Sequence, residues 1–265
     1  MFEIPPGPRF IPVSLTVNAQ KLGMPLWLAF LVYYYQNYSD QMLMYSVMHG
    51  TYGVLWYLKH ITFPDKFADE KFTVSCAFVL WVLVLGPYLL PSWLIASGNS
   101  YPFQSNYPLY YWLTVYIFGV TLTLGSDAQK NFTLKLMKEH DLNPLRKVNQ
   151  SNQSTRVVDR PKGQFLINDG FFKYSRNPNF LGEMMLYLSF AGVCNHWLAY
   201  AIVIWAWISI MAARIYQKEM SLREKKGWKE YSQQSWILLP KINGRAMDSI
   251  VVYTLLLIVS FKILI

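Results

Sequence analysis

The chain has 265 residues, 53% of them hydrophobic and 17% aromatic, and only 15% charged. With a mean hydropathy of +0.18, this composition describes an all-α integral membrane protein with its charges gathered in a few loops, not a soluble domain. The net charge of +9 comes without basic runs interleaved with aromatics, so it reads as the positive-inside bias and argues against nucleic-acid binding.

The N-terminal stretch MFEIPPGPRFIPVSL lacks the basic start and apolar core of a secretory signal, and it is not the Arg-rich, acid-free pattern of a transit peptide. Apolar runs of membrane-crossing length then follow in order. The first is expected at about Leu22 to Asn37, closing on Tyr33, Tyr34 and Tyr35. The second, about Met42 to Leu58, carries Ser46, His49, Gly50, Thr51 and Tyr52, a polar face that should look inward. The third, about Phe72 to Ala96, contains Pro87 and Pro91 as expected kinks. The fourth, about Leu109 to Leu124, runs into a polar helical extension, GSDAQKNFTLKLMKEH. The fifth begins at Pro178 and ends near Val193; the sixth covers about Trp197 to Met211 and continues as the charged helix RIYQKEMSLREKKGWKEY. A last run, Ile250 to Ile265, is apolar except for Lys262. The expectation is six to seven transmembrane helices.

Ten Lys and Arg against four Asp and Glu lie from Lys130 to Arg176, and a second basic cluster runs from Arg214 to Arg245. The CNHW turn between the fifth and sixth spans has no fixed positive charge. Both clusters therefore flank one hairpin on one side, which faces cytosol or mitochondrial matrix. The polar stretch Asn149 to Gly163 reads as a loop. Cys76 and Cys194 sit in separate apolar stretches and read as buried thiols, neither a disulfide nor a metal pair; no metal site is expected.

Chemistry concentrates in SRNPNFLGEMMLYLSF, Ser175 to Phe190. Asn177 is placed as an N-cap and Pro178 as the first helical residue. Asn179 and Glu183 then share a helix face, with Tyr187 one turn further. Gly182 lets something approach the backbone beside Glu183. An ionisable group inside an apolar helix is a functional candidate, the bland alternative being a buried pair with Lys, Arg or His that locks helices together. GSDAQK places Asp127 and Lys130 where the fourth span meets its extension, and LINDGFFKYSR places Lys173 and Arg176 just before a helix N-terminus, a setting suited to phosphate. Each has a plain alternative, a solvated helix end for Asp127 and a topology-setting charge for Lys173 and Arg176. The charged helix after the sixth span and the pair His49 and His60 are weak signals on their own.

Together, GSDAQK, LINDGFFKYSRNPNFLGEMMLYLSF, CNHWLAY and KEMSLREKKGWKEYSQQSWILLP resemble the C-terminal domain of the steroid 5α-reductases, nearest to the 5α-reductase-like branch of undefined substrate. A looser likeness extends to sterol reductases and isoprenylcysteine carboxyl methyltransferases. The resemblance divides the chain into N-terminal transmembrane helices (1–124), a reductase-like domain (125–245) and an additional C-terminal helix (246–265). It implies NADPH in a polar pocket on the basic side, touched by Asp127, Asn179 and Glu183, with Lys130, Lys173 and Arg176 suiting its phosphates by charge. The family's His and Tyr of the final charged helix have no match in QKEMSLREKK, and the N-terminal spans lack a Gln-Glu pair; Tyr52 or Tyr57 is the expected phenolic donor.

The resulting expectation is a membrane oxidoreductase that reduces a lipophilic double bond, steroid-like or polyprenoid, with NADPH. The other readings are a non-catalytic subunit of a larger membrane complex that keeps the fold and docks through residues 250–265, and a methyltransferase using S-adenosylmethionine. The resemblance implies the endoplasmic reticulum, with the mitochondrial inner membrane as the alternative.

Overall fold

The computed structural model describes residues 7–65, 68–139 and 166–264. The polar 149–163 stretch lies outside them. A two-residue antiparallel pairing, β1 (Ile11–Pro12) with β2 (Lys71–Phe72), is the only sheet among the described residues. The rest is helical: α1 (Val13–Tyr35), α2 (Asp40–Thr62), α3 (Val74–Ala96), α4 (Tyr107–Glu139), α5 (Pro178–Cys194), α6 (Trp197–Arg223), α7 (Trp228–Gln234) and α8 (Ala246–Leu264). Four of these, α3, α4 over Tyr107–Met137, α6 and α8, are long and apolar enough to cross a membrane.

Local chemistry starts the helices. Ser39 Oγ accepts from the Met42 amide at 3.3 Å to open α2, Thr73 Oγ1 accepts from Cys76 at 3.1 Å to open α3, and His196 Nδ1 accepts from Leu198 at 3.2 Å to open α6. Pro178 is the first residue of α5, but the Asn177 side chain makes no capping bond; it is drawn away to other partners, described below. The GSDAQK extension is continuous with its span in α4. The charged helix after the sixth span is not continuous to Tyr231, because Gly227 at φ 84° breaks it into α6 and α7. In α3 Pro87 falls where regular winding fails, a π turn at Trp81–Leu85 passing into a 3-10 turn at Gly86–Leu89, and Pro91 stands in the first turn of the α-helical winding that resumes at Leu90.

One apolar core, with Leu28, Tyr45, Tyr52, Ile95, Trp112, Phe190 and Val203 among its members, joins α1 through α6. The most extensive crossing is α4 against α5. A Cβ on Gly182 would lie 2.5 Å from Thr123 Oγ1 and 2.6 Å from the Gly119 carbonyl oxygen, and one on Gly119 would lie 2.8 Å from the Leu186 nitrogen. Small residues let two backbones meet where lipid gives no hydrophobic drive between helices. What approaches the backbone at Gly182 is therefore helix α4. Cys194 is fully buried and Cys76 half-buried, and both are free thiols; the expectation of two buried thiols holds for Cys194 alone.

Candidate functional site

The entrance to α5 is fastened to the end of α6. Glu219 accepts from Arg176 Nε at 3.1 and 3.0 Å on its two carboxylate oxygens and from Asn177 Nδ2 at 3.1 Å. Arg176 also donates through Nη1 to the Ser235 carbonyl at 2.5 Å and lies 5.1 Å over the Trp228 ring. Asn177 Nδ2 reaches the Ile237 carbonyl at 2.9 Å as well. Backbone bonds from Arg176 to Trp236 (2.9 Å) and from Trp236 and Lys241 to Tyr174 (3.2 and 2.9 Å) zip the two segments together. Tyr231 closes the unit by donating to the Phe172 carbonyl at 2.6 Å, and burial pushes its hydroxyl pKa up. All three of Arg176, Asn177 and Glu219 are buried, and the two charges satisfy each other, while Asn177 Oδ1 has no hydrogen-bond partner among the described residues.

Further along α5, the face bearing Asn179, Glu183 and Tyr187 turns toward α6 and α1. Asn179 Oδ1 accepts from Lys218 Nζ at 3.2 Å. The Tyr187 hydroxyl accepts from Lys21 Nζ of α1 at 3.1 Å. Its ring stacks on Tyr88 at 4.6 Å and meets Tyr52 edge-to-face at 6.2 Å. Between them, Glu183 has no hydrogen bond or ion pair among the described residues; Lys21, Lys59, Arg214 and Asp127 lie within electrostatic reach of it. The carboxylate is thus set in a field of cations without being consumed by any one of them.

A second ionic knot stands at the end of α2. Lys59 Nζ lies 2.8 Å from both Asp65 and Asp127, with the lysine side chain 3% exposed. The two carboxylates offset the cost of burying the ammonium.

Tyr52 of α2 and Asp127 of α4 lie within electrostatic reach of Glu183 of α5, whereas Asn179 turns to Lys218 of α6. Tyr52 is fully buried, and its hydroxyl stands beside Tyr187 without a well-formed hydrogen bond. Lys130 is half-buried and within electrostatic reach of Lys218. Lys173 is exposed, folded 5.0 Å over the Tyr174 ring. Tyr57 is 38% exposed. Arg176 lies in the Glu219 cluster. Sequence reasoning passed over Lys21 and Lys59, and read Lys218 and Glu219 only as part of the weak pattern of the charged helix after the sixth span. Lys21 stood one residue before the expected first span; α1 begins at Val13, which places this lysine well inside the helix. That earlier start was its only signal.

Residues 57–236 match the family described as protein of unknown function (DUF1295). The match covers more than half of the chain, and the chain belongs to this family, which is steroid 5α-reductase-like. The matched stretch holds Arg176, Asn177, Glu219 and Ser235 and the face of α5; Lys21, Tyr52, Ile237, Lys241 and α8 lie outside it.

Proposed function

We propose that the protein is a membrane oxidoreductase that reduces a lipophilic double bond, steroid-like or polyprenoid, with NADPH bound along α5 in a pocket open to the basic side. In this reading α1, α2 and α5 join the four long apolar helices as spans. The observation that carries it is Glu183. A carboxylate in an apolar helix costs about 2.5–3.5 kcal/mol or more, and this one has no hydrogen-bond or ion-pair partner among the described residues. A ligand bearing hydroxyl and amide donors would satisfy it.

The residues fit such a group in part. Asn179 and Glu183 are four residues apart on one face, and Lys130 and Lys218 add positive charge near it. Lys173, exposed beside the start of α5, completes the cationic rim. Arg176 is committed to Glu219, so it shapes the entrance to α5 and does not reach phosphate; Asp127 is held by Lys59 and fixes the edge of the site. The cofactor, when bound, supplies hydride. The chain's own part is to hold it through Asn179 and Glu183, to keep water out with the aromatic packing of Tyr52, Tyr88 and Phe190, and to offer a phenol to the acceptor. The test is NADPH titration of detergent-purified protein, followed by energy transfer from tryptophan to the reduced nicotinamide. Glu183→Gln should weaken binding about tenfold or more, the worth of a hydrogen bond to a charged group. No binding, or binding untouched by the substitution, defeats the proposal.

A second reading has its own observation. Helix α8 has a mean hydropathy of 1.9, yet only 6% of its apolar window is buried in the protein. Such a helix suits a subunit that docks in a larger membrane assembly. Cross-linking from α8 in native membranes tests it: adducts to lipid alone remove its support.

A further inference from the structure

The end of α6 carries a groove that neither reading above employs. Its volume is about 730 Å³, within the range of small-ligand sites. Ile215, Tyr216, Met220 and Arg223 of α6 line it, with Trp228 of α7 and Ile237 beyond. At 3.6 residues per turn, Tyr216 and Lys218 lie about 200° apart around α6. Lys218 faces Asn179 of α5, so the groove opens away from the proposed cofactor site.

Two kinds of chemistry meet in this groove. Its apolar lining continues a helix of membrane-crossing length: α6, over Trp197–Arg223, has a mean hydropathy of 1.8, and Ile208, earlier on the same helix, is 71% exposed. Tyr216, 64% exposed, and the half-buried Trp228 are rings of the kind found where bilayer meets water. The charges of Arg176 and Glu219, which also line the groove, cancel in their own pair. Arg223 is different: it is exposed and makes no hydrogen bond or ion pair among the described residues. From Arg223 to Glu230 the sequence holds four Lys or Arg against two Glu. The uncompensated charge at the groove is therefore positive.

A soluble anion would meet the arginine and leave the apolar lining unused. A neutral lipid would use the lining and leave the arginine unused. An acidic phospholipid uses both, and basic pockets beside membrane helices recognise such head groups. We propose that the groove binds an anionic phospholipid from the leaflet on the basic side, its phosphate on Arg223 and an acyl chain along Ile215 and Met220. Bound there, the lipid braces α6 against α7 across the break at Gly227.

The experiment uses the full chain in detergent. The probes are phosphatidylglycerol and phosphatidylcholine with matched acyl chains, and native mass spectrometry reads the first lipid retained. Wild-type protein should hold phosphatidylglycerol about fivefold more tightly or better, the worth of one basic side chain at an acidic surface. Arg223→Gln should lose most of that preference, and Arg223→Lys should keep it. Lys229→Gln removes a charge that is also exposed but does not line the groove, and it should leave the preference in place. In native membranes, a benzophenone side chain carried at position 216 should form adducts with phospholipid. Three results each overturn the proposal: no preference for phosphatidylglycerol in wild type, equal losses from Arg223→Gln and Lys229→Gln, or adducts from position 216 to protein, whether another segment of this chain, a second copy or a partner. None of these outcomes touches the NADPH titration, which reads the other flank of α6.

Discussion

Arg176 and Glu219, 43 positions apart in sequence, meet through Nε at 3.1 and 3.0 Å from the two carboxylate oxygens. The arginine side chain is 9% exposed and the glutamate 7%. Removing one partner of a buried pair strands the other charge and costs about 3–5 kcal/mol. Arg176→Met and Glu219→Gln should each lower the thermal midpoint in detergent sharply, and the double variant should recover part of the loss. A double-variant loss equal to the sum of the two single losses would show that the pair carries no coupling.

Two glycines should respond in opposite directions to the same substitution. Gly182→Ala pushes a methyl to 2.5 Å from Thr123 Oγ1 and 2.6 Å from the Gly119 carbonyl, an overpacking cost of about 1–3 kcal/mol. Gly23→Ala in α1 meets nothing within 4 Å and should stabilise by about 0.5–1 kcal/mol, as an alanine replacing a mid-helix glycine does. Thermal denaturation of the two variants side by side decides it.

The Lys59 knot should respond to loss of its cation. Lys59→Met leaves Asp65 and Asp127 without their shared partner and should cost about 3–5 kcal/mol. Adding Asp127→Asn to it should recover part of the loss. Thermal denaturation of the single and double variants in detergent checks it, and a double variant no more stable than Lys59→Met would contradict the assignment.

Helix α8 should be wrapped by lipid. A spin label at Leu257, 70% exposed, should be accessible to oxygen, which dissolves in the bilayer, and inaccessible to a polar nickel chelate. A label at position 249, where Ser249 is fully buried and donates to the Arg245 carbonyl at 2.7 Å, should be shielded from both.

Much of the helical plan was legible because apolar run length, and a proline such as Pro178 at a helix start, are local signals. The starts of α2, α3 and α5 fall within two residues of expectation, and α1 begins nine residues earlier than its apolar run suggested. The site was less legible, since it is made of long-range partners. Asn177 has the chemistry of a cap, but Glu219 and the Ile237 carbonyl, distant in sequence, claim its amide. Arg176 has the setting of a phosphate ligand, and the same Glu219 claims it. Lys21 was invisible because a hydropathy threshold begins a span after a charge, and its burial depends on how closely Gly53 lets α2 approach.

The Arg176–Glu219 pair has a bearing on biogenesis. Its two members bracket the α5–α6 hairpin, so with α5 read as a span, as proposed above, they emerge from the ribosome with a membrane crossing and a return between them. They meet only when both crossings have been completed and the chain has come back to the side it left. Until then each charge waits in water, unpaired. A failed insertion of α6 would leave them separated by the bilayer, and the segment from Tyr174 to Asn177 would have nothing to zip against. The bond therefore works as a latch that engages on correct topology, and its absence would leave exposed polar groups by which quality control can recognise a misassembled chain.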